Sequence, residues 1–232
     1  MTLELRPFDS LGAANFGWLD AKHHFSFGHY YDPKRMHVGP LRVWNDDTIA
    51  PGTGFDPHPH RDMEIITYVR TGAITHRDSL GNEGRTEAGD VQVMSAGSGI
   101  RHSEVNLEDV DTTLFQIWIL PNERNGKPFW GAKKFPKADR ANEWSVLASG
   151  DASDEGLPIR QDAKVLGATL EAGKTLEIKT SAGRYGYLVL AAGSVKLGDT
   201  VLNARDAVAI TGPETVSVTA DADAELVLVD TI

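Results

Sequence analysis

DPHPHRDME, residues 56–64, sets His58 and His60 two positions apart, and GIRHSEV, residues 99–105, repeats that spacing with His102 and Glu104. Successive side chains of a β-strand point to opposite faces, so residues i and i+2 share one. Two such strands each aim two potential ligands the same way, and four nitrogen and oxygen donors can converge without any helix. A histidine pair at this spacing arises by chance about 0.3 times in a chain with this many histidines, so the weight falls on what surrounds it. Gly52 precedes His58 and Glu64 follows His60, while the second block carries Gly89, the turn SAGSG at 95–99 and Asn106.

Outward from these blocks, short apolar runs alternate with turn residues. LRVW (41–44), EIITYV (64–69), DVQVM (90–94), TLFQIWIL (113–120), YLVLA (187–191), AVAI (207–210), TVSVT (215–219) and ELVLVD (225–230) are expected strands. Pro51-Gly52, Gly81-Asn82, Gly198-Asp199 and Gly212-Pro213 punctuate them at the spacing of an all-β barrel or sandwich. No stretch of comparable length has helical periodicity, so helices should be few and short. Residues 121–158 gather Pro, Gly, Asn, Lys and Asp, with only WSVLAS (144–149) strand-like, and are expected to contain the connection between two domains, 1–135 and 136–232. The halves echo each other: APGTGFD (50–56) before EIITYVRTGAI is matched by EAGKTLE (171–177) before GYLVLAAGSV. All eight histidines lie at or before residue 102, so only the first domain can hold a histidine-ligated metal.

Composition narrows the chemistry. A chain of 232 residues can bury one large core or two modest ones. Acidic residues outnumber basic ones 33 to 23, a formal charge of −10, with no cluster of Lys or Arg to release counterions from a phosphate backbone. Direct nucleic-acid binding is not expected. There is no cysteine, which excludes disulfides and thiolate zinc sites and leaves imidazole and carboxylate to hold any metal. No run approaches the roughly 18 to 20 apolar residues that span a bilayer, and the first residues lack the apolar core of a signal peptide. The expectation is a soluble, cytoplasmic protein without a membrane partner.

Both blocks resemble the paired motifs of the cupin superfamily, and more specifically the pirin family with its bacterial quercetin dioxygenase-like members. GWLDAKHHFSFGHYYDP (17–33), LRVWNDD (41–47), HPHRDMEIITYV (58–69), MSAGSGIRHSE (94–104) and QIWILP (116–121) carry the resemblance, which covers most of the first half. The second half is similar only in strand rhythm and in pieces such as IRQDA (159–163). The resemblance implies a bicupin of two β-barrels of the double-stranded β-helix or jelly-roll type. The N-terminal barrel would bind a single divalent metal, usually iron, through His58, His60, His102 and Glu104, and the C-terminal barrel would have lost its ligands. Glu64 shares strand parity with His58 and His60 and occupies the place where many other cupins keep their carboxylate, whereas pirins resemble one another in using the glutamate after the last histidine. Glu64 is therefore expected beside the metal or lining the pocket. His29, inside the family-like N-terminal block, is expected at the pocket edge; His23, His24, His37 and His76 have no comparable spacing and are read as ordinary surface, turn or hydrogen-bonded residues. Trp18, Phe25, Phe27, Tyr30 and Tyr31 form an aromatic-rich stretch suited to core packing or to stacking on a planar ligand.

Three imidazoles and a carboxylate suit Fe(II), Mn, Co, Ni, Cu or Zn, and leave one or two coordination positions open for a substrate and dioxygen. The resemblance implies a dioxygenase acting on a flavonol such as quercetin, opening the heterocyclic ring with release of carbon monoxide. Glu104 is then the candidate catalytic base, with Glu64 in reserve. The same resemblance also implies an alternative, a non-enzymatic, metal-dependent redox sensor acting through a protein partner, as in animal pirins. Cupin isomerases and sugar-handling enzymes form a third class, because the fold hosts many chemistries.

Overall fold

The computed structural model describes residues 2–213 and 215–232. Contacts divide the chain into two compact units: residues 12–135 with 157–161 form one, and residues 2–11 with 136–156 and 162–232 form the other. The first strand, Thr2–Arg6, therefore lies with the second unit rather than with the residues that follow it. The reason is pairing: it runs antiparallel to Ala207–Thr211, with Leu3 opposite Ile210 and Leu5 opposite Val208. Among the described residues the helical content is two 3-10 turns, Phe8–Ser10 and Lys137–Arg140.

The histidine-bearing unit consists of two antiparallel sheets. The larger runs in the order Phe129–Lys133, Val91–Ser95, Glu64–Thr71, Thr112–Ile119, Leu41–Ile49, Leu19–His23, Gly12–Asn15. The smaller runs Gly54–His60, Ile100–Val105, Ala73–Asp78, Glu83–Glu87. Register across the larger sheet sorts side chains into levels. One level is polar on five neighbouring strands, aligning His23, Asn45, Gln116, Thr67 and Gln92. The next aligns Ala21, Asp47, Leu114 and Val69. The apolar side chains on this second level belong to a cluster with Leu19, Ile49 and Ile74.

Two of the differences from the sequence reading concern strands of the larger sheet. The run LRVW continues through Asn45, Asp46 and Asp47 to Ile49, and all three polar residues are buried. Phe129–Lys133 is a strand inside the segment read as a connection, and pairs with Val91–Ser95. Its sequence, FWGAK between Pro128 and a lysine-rich turn, has too few apolar residues to announce it.

In the other unit, Tyr185–Leu197 and Thr215–Thr231 pair along most of their length and carry the remaining strands on either side. The runs 215–219 and 225–230 are thus one continuous strand, because the intervening residues contain no Gly or Pro to break it. The partner strand bends instead, with register shifts on both sides of Ala192 and at Ser194. Gly193 sits at that bend with φ of 84°, and an added Cβ would lie 2.2 Å from the Asp223 carbonyl oxygen. The interior is filled by aliphatic side chains, among them Leu188, Leu190, Leu202, Val208, Leu226 and Leu228, all buried. These residues form a packed core of the kind that gives a domain most of its stability.

Candidate metal centre

Gly54–His60 and Ile100–Val105 lie antiparallel with His102 directly opposite His58. The approach is close at the strand ends, where a Cβ on Gly54 would stand 2.2 Å from the Glu104 carbonyl oxygen. Strand alternation puts His60 on the same side as His58. The three imidazoles converge: their ring centroids are 4.5 Å apart for His58 and His102, 4.8 Å for His58 and His60, and 5.0 Å for His60 and His102. One nitrogen from each can be chosen so that all three lie within 4.8 Å of one another.

Hydrogen bonding fixes which nitrogens face inward. His58 Nδ1 is 2.7 Å from the Asp56 carbonyl oxygen, so it carries the proton and its Nε2 is a lone pair. His76 Nε2 is 3.0 Å from Asp78 Oδ2 and donates there, and when the His76 ring carries one proton its Nδ1 accepts from His102 Nδ1 at 3.4 Å. In that tautomer His102 Nε2 is also a lone pair, and it faces His58 Nε2 at 3.1 Å. Burial and the neighbouring His58 and His76 rings push His102 down to about 3, so its imidazolium form is disfavoured. Burial, with His102 and His58, likewise lowers His60 to about 4, and His60 Nε2 is buried without a hydrogen-bond partner among the described residues. Two lone pairs in contact and a third buried beside them call for a cation. Metal–nitrogen bonds near 2.1 Å at tetrahedral to octahedral angles require nitrogens about 3.0 to 3.4 Å apart, which the His58–His102 separation matches. The donor set fits a divalent transition metal.

Glu104 does not join the group of three. The pairing of its strand shifts between His102 and Glu104, so that Glu104 stands opposite Phe55 instead of continuing the His102–His58 register. Its carboxylate is nevertheless held at the same cavity: Gln92 Nε2 donates to Oε1 at 2.6 Å, Thr67 Oγ1 to Oε1 at 3.1 Å, and Gln116 Nε2 to Oε2 at 2.6 Å. A carboxylate has about four acceptor positions, so one remains. Three residues of the polar level of the larger sheet, Thr67, Gln92 and Gln116, thus grip one buried acid.

Glu64 is elsewhere. It is buried, accepts a short hydrogen bond from Ser95 Oγ, and is not among the residues lining the cavity. Burial raises its pKa, partly offset by Ser95 and the Arg160 backbone amide. The parity linking it to His58 and His60 fails because the strand ends at His60; Arg61 to Met63 turn through Asp62, whose φ is 48°, before the next strand begins at Glu64. His29 does line the cavity, at an exposed position.

His76, read from sequence as ordinary, is fully buried and stacks on Trp130 with ring centroids 4.7 Å apart and planes within 7°. Behind it, burial would raise the Asp78 carboxyl, but hydrogen bonds from His76, Asn82 and the Leu80 amide outweigh burial and hold it below its ordinary value. The signal was available: His76 and Asp78 are themselves two apart on one strand. Replacing His76 with Phe keeps a flat ring on Trp130 and removes both nitrogens. Outer partners of ligating histidines typically contribute 10- to 100-fold in metal affinity, and a loss of about that size is expected in a chelator competition. Unchanged affinity would mean that His76 only packs.

The cavity in front of the histidines has a volume of about 440 Å³, within the range of small-molecule sites. Phe16, Phe27, Tyr30, Phe55 and Trp118 supply aromatic wall, and Ala13, Ala14 and Ala21 supply flat, shallow wall. Trp118 lies edge-on to His60 at 5.0 Å.

A β-barrel with three histidines converging from adjacent strands, followed by a second barrel with an aliphatic interior, defines a bicupin. Residues 5–119 match the pirin family, and residues 146–231 match the quercetinase C-terminal cupin domain. A pirin-like protein of Caulobacter vibrioides is 62% identical over 98% of this chain and 99% of its own. Quercetin 2,3-dioxygenase of Escherichia coli is 40% identical over 97% of each. The crystal structure of the E. coli bacterial pirin YhhW in complex with nickel(II) superposes with a TM-score of 0.94 at 38% identity, covering 99% of both chains. The chain belongs to the pirin family.

Proposed function

We propose that this protein is a metal-dependent dioxygenase of flavonols such as quercetin, with His58, His60 and His102 holding one divalent metal, iron(II) in the first instance, and Glu104 as the carboxylate that completes the site. The observation carrying this reading is the pair of imidazole lone pairs facing at 3.1 Å at the end of an aromatic-walled cavity. A bound transition metal would supply open coordination positions for a substrate oxygen and for dioxygen. The chain's own part is positioning and proton transfer. The aromatic and alanine walls take up a flat ring system and exclude water. Glu104 has three of its acceptor positions filled and one free, so as a ligand it would have to loosen to receive the proton of the flavonol 3-hydroxyl. Gln92 and Gln116 fix the carboxylate so that its free position is presented to the cavity. Ring opening then consumes one dioxygen and releases carbon monoxide.

Aerobic incubation of iron-loaded protein with quercetin tests this, following loss of flavonol absorbance together with carbon monoxide release. His58→Ala should abolish both, and Glu104→Gln should lower kcat by about 100- to 10,000-fold, the range of a general base. Absence of turnover with iron, manganese, nickel, cobalt and copper alike would overturn the assignment.

A further inference from the structure

Asp47 is a cavity-lining acid that the proposed chemistry leaves unused. It lies on the second level of the larger sheet, between Ala21 and Leu114 in register, with Ala14 and Val69 one strand further out on either side. Every lateral neighbour on that level is apolar. The residue is only 2% exposed, it lines the cavity, and its Oδ1 has no hydrogen-bond partner among the described residues. Glu104 in the same cavity is held by three donors, and Asp46, one residue away on the opposite face, is paired with Arg70. A buried polar group without a partner is unfavourable, and an aliphatic residue would suit this level better. The cavity side is where a partner can come from.

The surroundings of the carboxyl also favour its protonated form. Burial first, then the nearby Asp46 and Glu104 carboxylates, push its pKa well above the carboxylate range, against the opposing pull of Arg70. A neutral carboxyl has both an O–H to donate and a carbonyl to accept, which matches phenolic hydroxyl and ring carbonyl groups rather than a cation.

We propose that Asp47 is a specificity-determining residue that hydrogen-bonds a ring hydroxyl of a flat polyphenol, a different polar group from the one directed at the histidines. The inference rests on the reading of this cavity as a flavonol site and narrows its ligand class to polyhydroxylated aromatics. Leu at this position matches the apolar level in size and chemistry, so Asp47→Leu removes the recognition without loosening the sheet.

Two probes separate the cases. Quercetin carries hydroxyls on both outer ring systems, and 3-hydroxyflavone carries only the one at the 3-position. Binding to the metal-loaded protein is titrated without oxygen, so that no turnover occurs, by quenching of tryptophan fluorescence. Wild type should prefer quercetin by at least about 10-fold, a modest share of the discrimination open to a site built around a hydrogen bond. Asp47→Leu should bring the ratio close to one by weakening quercetin alone, with Asp47→Ala as a second variant should leucine disturb the fold. Asp47→Asn, which keeps a donor and an acceptor, should retain the preference. The melting temperature of Asp47→Leu should equal or exceed that of wild type. A preference that survives in Asp47→Leu or Asp47→Ala, or a lower melting temperature in Asp47→Leu, overturns the proposal. If wild type binds both probes equally, the flavonol reading stands and the role of Asp47 falls; if it binds neither, both fall.

Discussion

His102→Ala is expected to cost the chain its metal, with affinity falling by more than the roughly 100-fold that marks the upper end for outer partners. Of the three imidazoles, His102 is the junction. Its Nε2 faces His58, and its Nδ1 leans on His76 and through it on Asp78. Removing it deletes a donor, isolates the His76–Asp78 pair from the site, and leaves two imidazoles on one strand with Glu104, whose carboxylate is already engaged by Thr67, Gln92 and Gln116. Catalytic sites keep three protein ligands besides the open position, and two imidazoles with a carboxylate committed elsewhere should not retain a transition metal against dialysis. Metal analysis of dialysed protein should fall from about one ion per chain to near zero for this variant, with no effect from alanine at His37, which is exposed and bonded to Gly39. Wild type should also gain thermal stability on metal addition, as any ligand of the native state confers, and His102→Ala should not. Full retention of metal by His102→Ala would remove the ground for the whole site.

How much of this was legible in the sequence follows from what each signal encodes. The histidine triad was legible because a two-residue spacing reports the face of a strand directly, and the resemblance carried by the surrounding blocks brought His58 and His60 together with His102. Glu104 followed the same rule as far as the cavity, but a register shift after His102 is a property of the pairing between strands, and spacing within one strand cannot reveal it. Glu64 failed for a related reason: parity counts only while the strand continues, and Arg61 to Met63 interrupt it without a Gly or Pro to mark the break. The support of Glu104 was half visible. Thr67, Gln92 and Gln116 are polar residues in the middle of apolar runs, a pattern that asks for a buried partner, although only cross-strand register shows that they share one. The second-unit pairing of Thr2–Arg6 had no local signal at all, because a five-residue strand pairing with residues about two hundred positions away is decided by the assembled sheet edge.

Asp46 and Asp47 are adjacent acids, both buried, and they should respond to leucine in opposite directions. Asp46 points to the face away from the cavity, where its carboxylate closes on the Arg70 guanidinium. Arg70 in turn lies over the Phe115 ring, 4.8 Å from its centroid, on the strand between the two acids' own strand and its own. Asp46 is wholly buried and the Arg70 side chain only 11% exposed, so water screens the pair little. Removing one member of a buried pair costs about 3 to 5 kcal/mol, because the remaining charge keeps its desolvation and loses its attraction. Asp46→Leu should therefore lower the melting temperature by about 10 °C or more. Arg70→Met on top of it should recover most of the loss, since apolar residues of similar volume replace buried pairs at little cost. The double variant separates this account from simple misfit of leucine: if it is as unstable as Asp46→Leu alone, the position rejects leucine by shape and the charge pairing is incidental. If the pair recovers while Asp47→Leu is neutral or stabilising, then strand alternation alone has divided two neighbouring carboxyls, one fixed to the sheet's outer face by a cation and the other left open toward the cavity.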